Sequence, residues 1–420
     1  MRAPWPADPP PGPFRGTFWR SPLRGPWLTA FLGTLLLALT SVVILTGFLS
    51  HAAYEPDLGR NAIVPRDGDL PGLLPFDWPT SPSWLYAFTQ GLHVTVGFVA
   101  VPFLLAKLWS VIPRLFAWPP VASPAQALER IAIALLVGSA LFQFATGVLN
   151  AQIYYPFKFN FVVAHYYGAI VFTASLLLHV LVKLPTIRHA YRERGVLQPL
   201  RANLASTEPE PYDPDGGLAP EHPDKPTLSR RGLLGLTAGG GALVAVMLGG
   251  QSIGGPLRKL SLLAPRREGF PVNKTAKAAE ITAEMTGDGW RLELIHDGRK
   301  TRLTRADLAG MEQRRESLPI ACVEGWSTTQ SWSGVRLADL AKAAGADPEN
   351  VTCLVESLQP AGVLRTATLN GGQVRDDRSL LALQVNGADL SLDHGYPARI
   401  IVPALPGVHN TKWVARMTFS

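Results

Sequence analysis

The sequence predicts two structural classes joined end to end: a membrane all-α helical bundle, with four spans plus a fifth linking span, followed by an α+β domain. Three observations carry this. Hydrophobic residues make up 47% of the 420 and charged residues only 17%, and the apolar ones gather in the first half. Several of those gatherings are long enough to cross a bilayer, which takes about 20 residues. The last third changes character, to strand-like alternation punctuated by turn residues.

Residues 1–26 are rich in Pro and Arg and are expected to be disordered on the cytoplasmic side. Spans follow at 27–50, 84–109, 130–149 and 160–184, giving a four-span membrane domain over 27–184. The polar, Pro-rich stretch 185–231 reads as a cytoplasmic linker, 232–253 as a Gly/Ala-rich fifth span, and 254–420 as the outer domain. The net charge of +7 sits largely on the flanks of the spans. It therefore reads as membrane topology, with the lipid bilayer as partner and no nucleic acid.

Arg15, Arg20 and Arg24 precede the first span. Lys107, Arg114 and Arg130 lie between the second and third, and Lys183, Arg188, Arg192, Arg194 and Arg201 follow the fourth. The loops 51–83 and 150–160 hold only Arg60, Arg66 and Lys158. Positive charge stays inside, so the N-terminus is cytoplasmic. An odd number of spans then makes this a multi-pass protein of the cell membrane with an extracytoplasmic C-terminal domain. Before the fifth span stands Ser229-Arg230-Arg231-Gly232-Leu233-Leu234. Its plain reading is a basic stop. Its sharper reading is an internal signal for the twin-arginine export machinery, which carries folded domains.

Ionisable residues inside a span are costly and usually functional, and His93, His165 and His179 all fall inside spans. A neutral histidine bonded between helices explains one such case more easily than three. His165 and His179, 14 residues apart, share one helix face and stand about 21 Å apart along the axis. This pattern resembles the cytochrome b membrane subunits of formate dehydrogenases and nickel–iron hydrogenases over roughly residues 20–190. The resemblance implies a haem b near the outer surface, its iron held by His93 and His165 and suited to electron transfer. His51, at the outer end of the first span, is a competing ligand. That family's inner haem needs a histidine near the cytoplasmic start of the first span, and this chain has none there. His179 is therefore unpaired, bonded to a helix, or the ligand of a second haem through another partner.

In the outer domain, residues 288–304 alternate as a hairpin around Asp297-Gly298. A short helix is expected at 337–344, and apolar strands at 380–385 and 399–402. Of the two cysteines, Cys353 lies in an apolar strand and reads as a small core residue, and no disulfide is required. Cys322 is different. Pro319-Ile320-Ala321-Cys322-Val323-Glu324-Gly325-Trp326-Ser327 delivers a thiol from a short apolar strand into a turn that Glu324 and Trp326 shape. Such a thiolate can ligate a soft metal or attack an electrophile, and composition does not choose between them.

A second segment, Leu392-Asp393-His394-Gly395-Tyr396-Pro397-Ala398-Arg399 continuing to Gly407 and Lys412-Trp413, does choose. With the Cys322 turn it resembles the molybdopterin-binding domain of the sulfite oxidase family, over roughly residues 268–420. The resemblance implies that Cys322 is a catalytic molybdenum ligand. It also implies that Asn273, His394, Arg399 and Lys412 contact molybdopterin, with backbone donors from Val408 to Thr411. Taken singly, Arg399 could pair with Asp393, and Lys412 could be a surface lysine. Candidate anion-binding arginines for the substrate are Arg365 and Arg375.

The two parts together describe a membrane-bound molybdenum oxidoreductase. It exchanges an oxygen atom with a small substrate, such as sulfite or an S- or N-oxide, and electrons with a b-type haem and the quinone pool. Two alternatives compete: a membrane-anchored binding module without cofactor, and a thiol enzyme that uses Cys322 as nucleophile.

Overall fold

Surrounded by hydrocarbon, a backbone must satisfy its own N–H and C=O groups, and a helix does so within one segment. The computed structural model, which describes residues 6, 8–54, 78–121, 123–212 and 217–420, folds the apolar runs accordingly. The helices are α1 (Pro26–Ala53), α2 (Leu85–Leu115), α3 (Pro124–Ala151), α4 (Phe161–Arg194) and α5 (Arg230–Val244). A π-helical turn, Ala245–Gly249, and a last turn, Gly250–Ile253, extend α5. With that extension, all five are long and apolar enough to cross a membrane.

The helix ends follow capping chemistry. The Asn160 side chain accepts from the N–H groups of Val162 and Val163 at the start of α4, and Ser229 accepts from Gly232 at the start of α5. The fourth helix does not stop at 184 as the sequence suggested; it runs through Pro185 to Arg194. One proline removes a single helical hydrogen bond, while Arg192 and Arg194 in the last turn complement the negative end of the helix dipole.

The chain divides into two compact units. One, the helical unit, comprises residues 1–44, 95–150 and 154–248; the other, the sheet unit, comprises 45–94, 151–153 and 249–420. The boundary therefore differs from the expected break at 254, because the end of α1 and the first turns of α2 count with the sheets. The expectation of a disordered start also needs correction from residue 8 onward. Trp19 Nε1 donates to Pro13 O (2.8 Å), and Arg24, buried, donates to Trp109 O (3.1 Å) and lies against that indole ring at 4.4 Å. Aromatic and cation–π contacts hold a segment that composition alone would leave loose. Residues 1–5 and 7, and Arg60 and Arg66 of the loop 51–83, lie outside the described residues.

Within the helical unit, Leu23, Trp27, Leu28, Leu32 and Phe103 form a buried apolar cluster. Beside it the buried Glu210 of the linker accepts from the backbone N–H of Trp27 (2.9 Å) at the start of α1. The guanidinium groups of Arg194 and Arg230 each stand 3.9 Å from that carboxylate.

The sheet unit contains two five-stranded sheets. Its strands are β1 (Leu292–His296), β2 (Arg299–Leu303), β3 (Arg314–Ala321), β4 (Ser327–Arg336), β5 (Cys353–Ser357), β6 (Thr366–Leu369), β7 (Leu380–Val385), β8 (Ala388–Asp389), β9 (Arg399–Ile401) and β10 (Val414–Phe419). One sheet has the order β2-β1-β10-β5-β6; the other has β3-β4-β7-β8, with β9 also paired to β7. The pair β1/β10 is parallel, and the hairpin β1/β2 turns at Asp297 (φ 47°) and Gly298 (φ 76°), the left-handed geometry that favours Asp-Gly.

Leu292 and Leu294, two apart on β1, are fully buried, as are Cys353, Met417 and Phe419 to within 1%. The helix Leu337–Ala344 buries Leu337, Leu340, Ala341 and Ala344 in the same core, the i, i+3, i+4, i+7 stripe of an amphipathic helix. Both cysteines are free thiols.

Candidate cofactor cleft and membrane histidines

Strand β3 ends at Ala321, and the next residue begins the turn into β4. Gly325 N donates to Cys322 O (2.9 Å), and Cys322 N donates to Trp326 O (2.9 Å). Gly325 closes the turn at φ +96°. Trp326 Nε1 donates to Glu324 (2.9 Å), and Arg266 Nε stands 3.7 Å from the same carboxylate oxygen. The Cys322 side chain is buried. Burial pushes its thiol pKa up, with the Glu324 charge adding to the rise, while the N–H groups of Glu324 and Val323 pull the other way.

A thiol in that state is a poor nucleophile unless something positive stabilises the thiolate. No group of three or more His, Cys, Asp or Glu able to hold a metal occurs among the described residues. A metal at Cys322 must therefore bring most of its own donors.

The segment 270–273, the turn Leu392–His394, strand β9 and the loop ahead of β10 converge on this thiol. Cys322, Asn273, His394, Arg399 and Lys412 all line one narrow cleft, with Phe270 and Gly407. His394 stacks on Phe270 (3.8 Å between ring centres), with Ser391 Oγ 2.8 Å from its Nδ1. Burial first, then the neighbouring Arg399, lowers its pKa. The Asn273 side chain accepts from Lys274 N (2.8 Å).

Two cations give the cleft its character. Arg399, 4% exposed, donates to His394 O (2.9 Å) and Asn410 O (3.1 Å), and its Nε has no hydrogen-bond partner. Lys412 donates to the carbonyls of Lys274 and Asp393 and lies 4.7 Å from the Trp413 ring centre. Among the described residues neither cation forms an ion pair; the Asp393 carboxylate instead accepts from Ala276 N (2.7 Å). Burial pulls the Arg399 guanidinium down to about 9. Burial, and then Arg399 beside it, pulls the Lys412 ammonium down to about 7. The buried Thr411 hydroxyl next to them also has no partner. Uncompensated burial of two cations is costly, and an anion such as a phosphate would offset it. The donor set thus fits a cofactor that carries its own soft ligands and a phosphate tail.

The segment 408–411 is partly committed already: His409 N donates to Pro406 O (3.0 Å), and the Asn410 side chain accepts from Val402 N (2.8 Å). Arg365 and Arg375 are not brought to the cleft. Both are exposed, and Arg375 pairs with Glu349 (3.3 Å). The sequence reading missed Arg266 and Lys274. Their signal was a place just before and just after Phe270-Pro271-Val272-Asn273, where basic residues looked like ordinary surface charge.

The three histidines of the long apolar helices divide between the units. In the sheet unit, His93 on α2 has Thr46 Oγ1 3.4 Å from its Nδ1, and a Cβ on Gly47 would stand 2.9 Å from its Cε1. In the helical unit, His165 on α4 has Thr146 Oγ1 2.9 Å from Nδ1, and a Cβ on Gly147 would stand 3.4 Å from its Cε1. A threonine hydroxyl and a glycine thus stand against each ring. The repeat of Thr46-Gly47 at Thr146-Gly147 was visible in the sequence but meaningless until the rings were located. His179 lies half-buried on the uninterrupted α4.

Comparison with known proteins addresses the cleft. The family described as oxidoreductase molybdopterin binding domain matches residues 278–420. Mitochondrial sulfite oxidase of Drosophila melanogaster is 31% identical over 129 residues, 28% of this chain and 22% of that protein. The uncharacterized oxidoreductase YuiH of Bacillus subtilis is 29% identical over 119 residues, 28% of this chain and 58% of that protein. The crystal structure of the sulfane dehydrogenase SoxCD from Paracoccus pantotrophus aligns at 24% identity over 31% of this chain and 38% of that one, with a TM-score of 0.29. The chain spans less than a quarter of the length of the Drosophila protein it matches. Residues 278–420 thus match the molybdopterin-binding oxidoreductase family and are similar to part of the sulfite oxidases.

Proposed function

We propose that the protein is a membrane-bound molybdenum oxidoreductase that exchanges electrons between a small extracytoplasmic substrate and the quinone pool through a b-type haem. The observation that carries this reading is the meeting of Cys322, His394, Arg399 and Lys412 in one cleft whose two cations have no carboxylate partner. Cys322 would supply the protein's thiolate to molybdenum. Arg399, Lys412 and Thr411 would hold the pterin's phosphate, and His394 and Asn273 would orient its rings. When bound, the molybdenum cofactor supplies two-electron chemistry coupled to oxygen-atom transfer. The walls of Trp326, Phe270 and Ile320 would limit water around the thiolate.

For the haem, His93 and His165 are the proposed ligands. The Thr-Gly support of each ring favours this over an incidental bond between helices. When bound, the haem supplies one-electron steps between the molybdenum centre and quinone. His179 remains a candidate for a second haem. The five apolar helices support a multi-pass cell-membrane protein with a cytoplasmic N-terminus, and Arg230-Arg231 supports export by the twin-arginine machinery.

The thiol-enzyme reading is weaker because Cys322 is buried and its thiol is stabilised against ionisation. A binding module without cofactor leaves the two buried cations unexplained. The deciding experiment is elemental molybdenum and haem per chain in detergent, followed by a redox screen of sulfite, S-oxides and N-oxides. Near-unit molybdenum, a b-type reduced-minus-oxidised spectrum and turnover of one of these substrates are expected. Absence of both cofactors would sink the reading. Cys322→Ser should abolish turnover and change the metal's spectrum.

A further inference from the structure

The first turns of α2 do more than anchor a span. Gln90, 5% exposed, donates from Nε2 to Val323 O at 2.8 Å, and Val323 directly follows Cys322. One turn further along the same face, the Val94 side chain fills the space over Gly325: a Cβ there would stand 2.8 Å from Val94 Cγ2. The far end of the cysteine turn is held as well, Ser327 Oγ donating to Ser252 O (2.9 Å), with Arg258 bonded to the Ser327 carbonyl. Between Gln90 and Val94 lies His93, its ring set against Thr46 and Gly47. All of these residues belong to the sheet unit.

We propose that Gln90 is the positioning residue for electron passage between the two redox centres, its hydrogen bond to Val323 joining the Cys322 turn to the helix that carries His93. The inference rests on the reading above, that Cys322 ligates molybdenum and His93 a haem. The route runs from the sulfur along one peptide to the Val323 carbonyl, across a single hydrogen bond to Gln90, and then three residues along the helix, about 4.5 Å of axial rise, to His93. In the oxidising direction, the substrate takes an oxygen atom from water and releases two electrons and two protons. The electrons pass singly over this route, and a quinone takes up two electrons and two protons. The reverse direction uses the same contacts. Gln90 itself neither gains nor loses a proton.

The test uses the full-length protein loaded with both cofactors and needs no substrate. A laser flash with 5-deazariboflavin injects one electron, and its redistribution between haem and molybdenum is followed at the haem absorption band. Gln90→Leu keeps the volume and removes the donor; Gln90→Glu keeps the shape and loses the donor when ionised. Molybdenum and haem content and the molybdenum spectrum of each variant are measured alongside. Slowing by about tenfold or more, the scale on which small misplacements act, with both cofactors retained, is the expected result, and Gln90→Glu should recover part of the rate as pH falls and its carboxyl becomes a donor. An unchanged redistribution rate in fully loaded Gln90→Leu overturns the proposal. So does a variant that loses molybdenum yet exchanges electrons normally in its loaded fraction, since Gln90 would then serve folding alone. Wild-type protein without a haem spectrum overturns the functional reading instead, which separates the two failures. Val94→Ala, which keeps the hydrogen bond, should slow the exchange less than Gln90→Leu does.

Discussion

Buried charge is handled in opposite ways in the two units. In the helical unit the Glu210 carboxylate is buried, but Arg194 and Arg230 stand beside it and the start of α1 donates to it. In the sheet unit Arg399 and Lys412 are buried and donate to carbonyl oxygens, with no carboxylate in ion-pair contact among the described residues, though Asp393 lies near enough to favour the charged lysine. The first arrangement sets one carboxylate between two arginines and joins the linker to three helix ends. The second leaves positive charge unanswered, which a fold tolerates only where something else supplies the anion. Buried cations gathered around a carboxylate read as structure, and buried cations with no carboxylate in ion-pair reach read as a binding site.

The strongest way to break this comparison is to remove the anion from the Glu210 cluster. Glu210→Gln leaves two arginines unanswered and weakens the cap on α1. It should cost about 3 kcal/mol or more, seen as a lower thermal midpoint in detergent. No loss of stability would mean that the cluster is not self-supporting.

The matching change in the cleft should have the opposite sign in the cofactor-free protein. Arg399→Met removes an unanswered buried cation and should stabilise the empty form by roughly 1–3 kcal/mol, while cofactor content falls well below that of wild type. A destabilised empty variant would show that the arginine is held by its carbonyl bonds rather than waiting for an anion.

Titration sharpens the same point. Lys412 holds its proton less tightly in the fold, at about 7 against a usual 10.5. Between those values the unfolded chain therefore binds more protons than the folded one, so stability of the cofactor-free protein should rise with pH across that window. Arg399, lowered to about 9 from 12.5, extends the rise above pH 9. Below pH 7 neither group contributes a slope. Denaturant midpoints of cofactor-free protein at pH 6, 7.5 and 9 would check the sign; a flat profile would argue that an unseen partner already satisfies the lysine.

The smallest effect is expected from Arg375→Ala. That side chain is exposed and pairs with Glu349 outside the cleft lining, so turnover should change by less than about twofold and stability by less than about 0.5 kcal/mol. A large loss of activity would restore it as a substrate-binding residue.

Much of the architecture was legible because its causes are local. Apolar length identifies a membrane-capable helix, and Asp297-Gly298 identifies a hairpin turn, whatever the rest of the chain does. The ligand candidates Cys322, His394, Arg399 and Lys412 were legible by the order of two motifs. Arg266 and Lys274 were not, because a basic residue looks the same in sequence whether it faces solvent or, as here, meets Glu324 (Arg266) or Gln359 (Lys274) beside the cleft. The end of α4 was misjudged at Pro185 because local propensity overstates what one proline does to a long helix.

The amino-acid order alone showed a part with five long apolar helices ahead of an α+β part, and it singled out candidate residues for redox chemistry. Folding in three dimensions was needed to show that Arg399 and Lys412 form no ion pair among the described residues, that Thr46-Gly47 and Thr146-Gly147 lie against histidine rings, and that Gln90 reaches the turn after Cys322. The reason is physical: propensity and hydrophobic length act over a few neighbouring residues. Whether a buried charge has a partner depends on side chains brought together from distant parts of the chain.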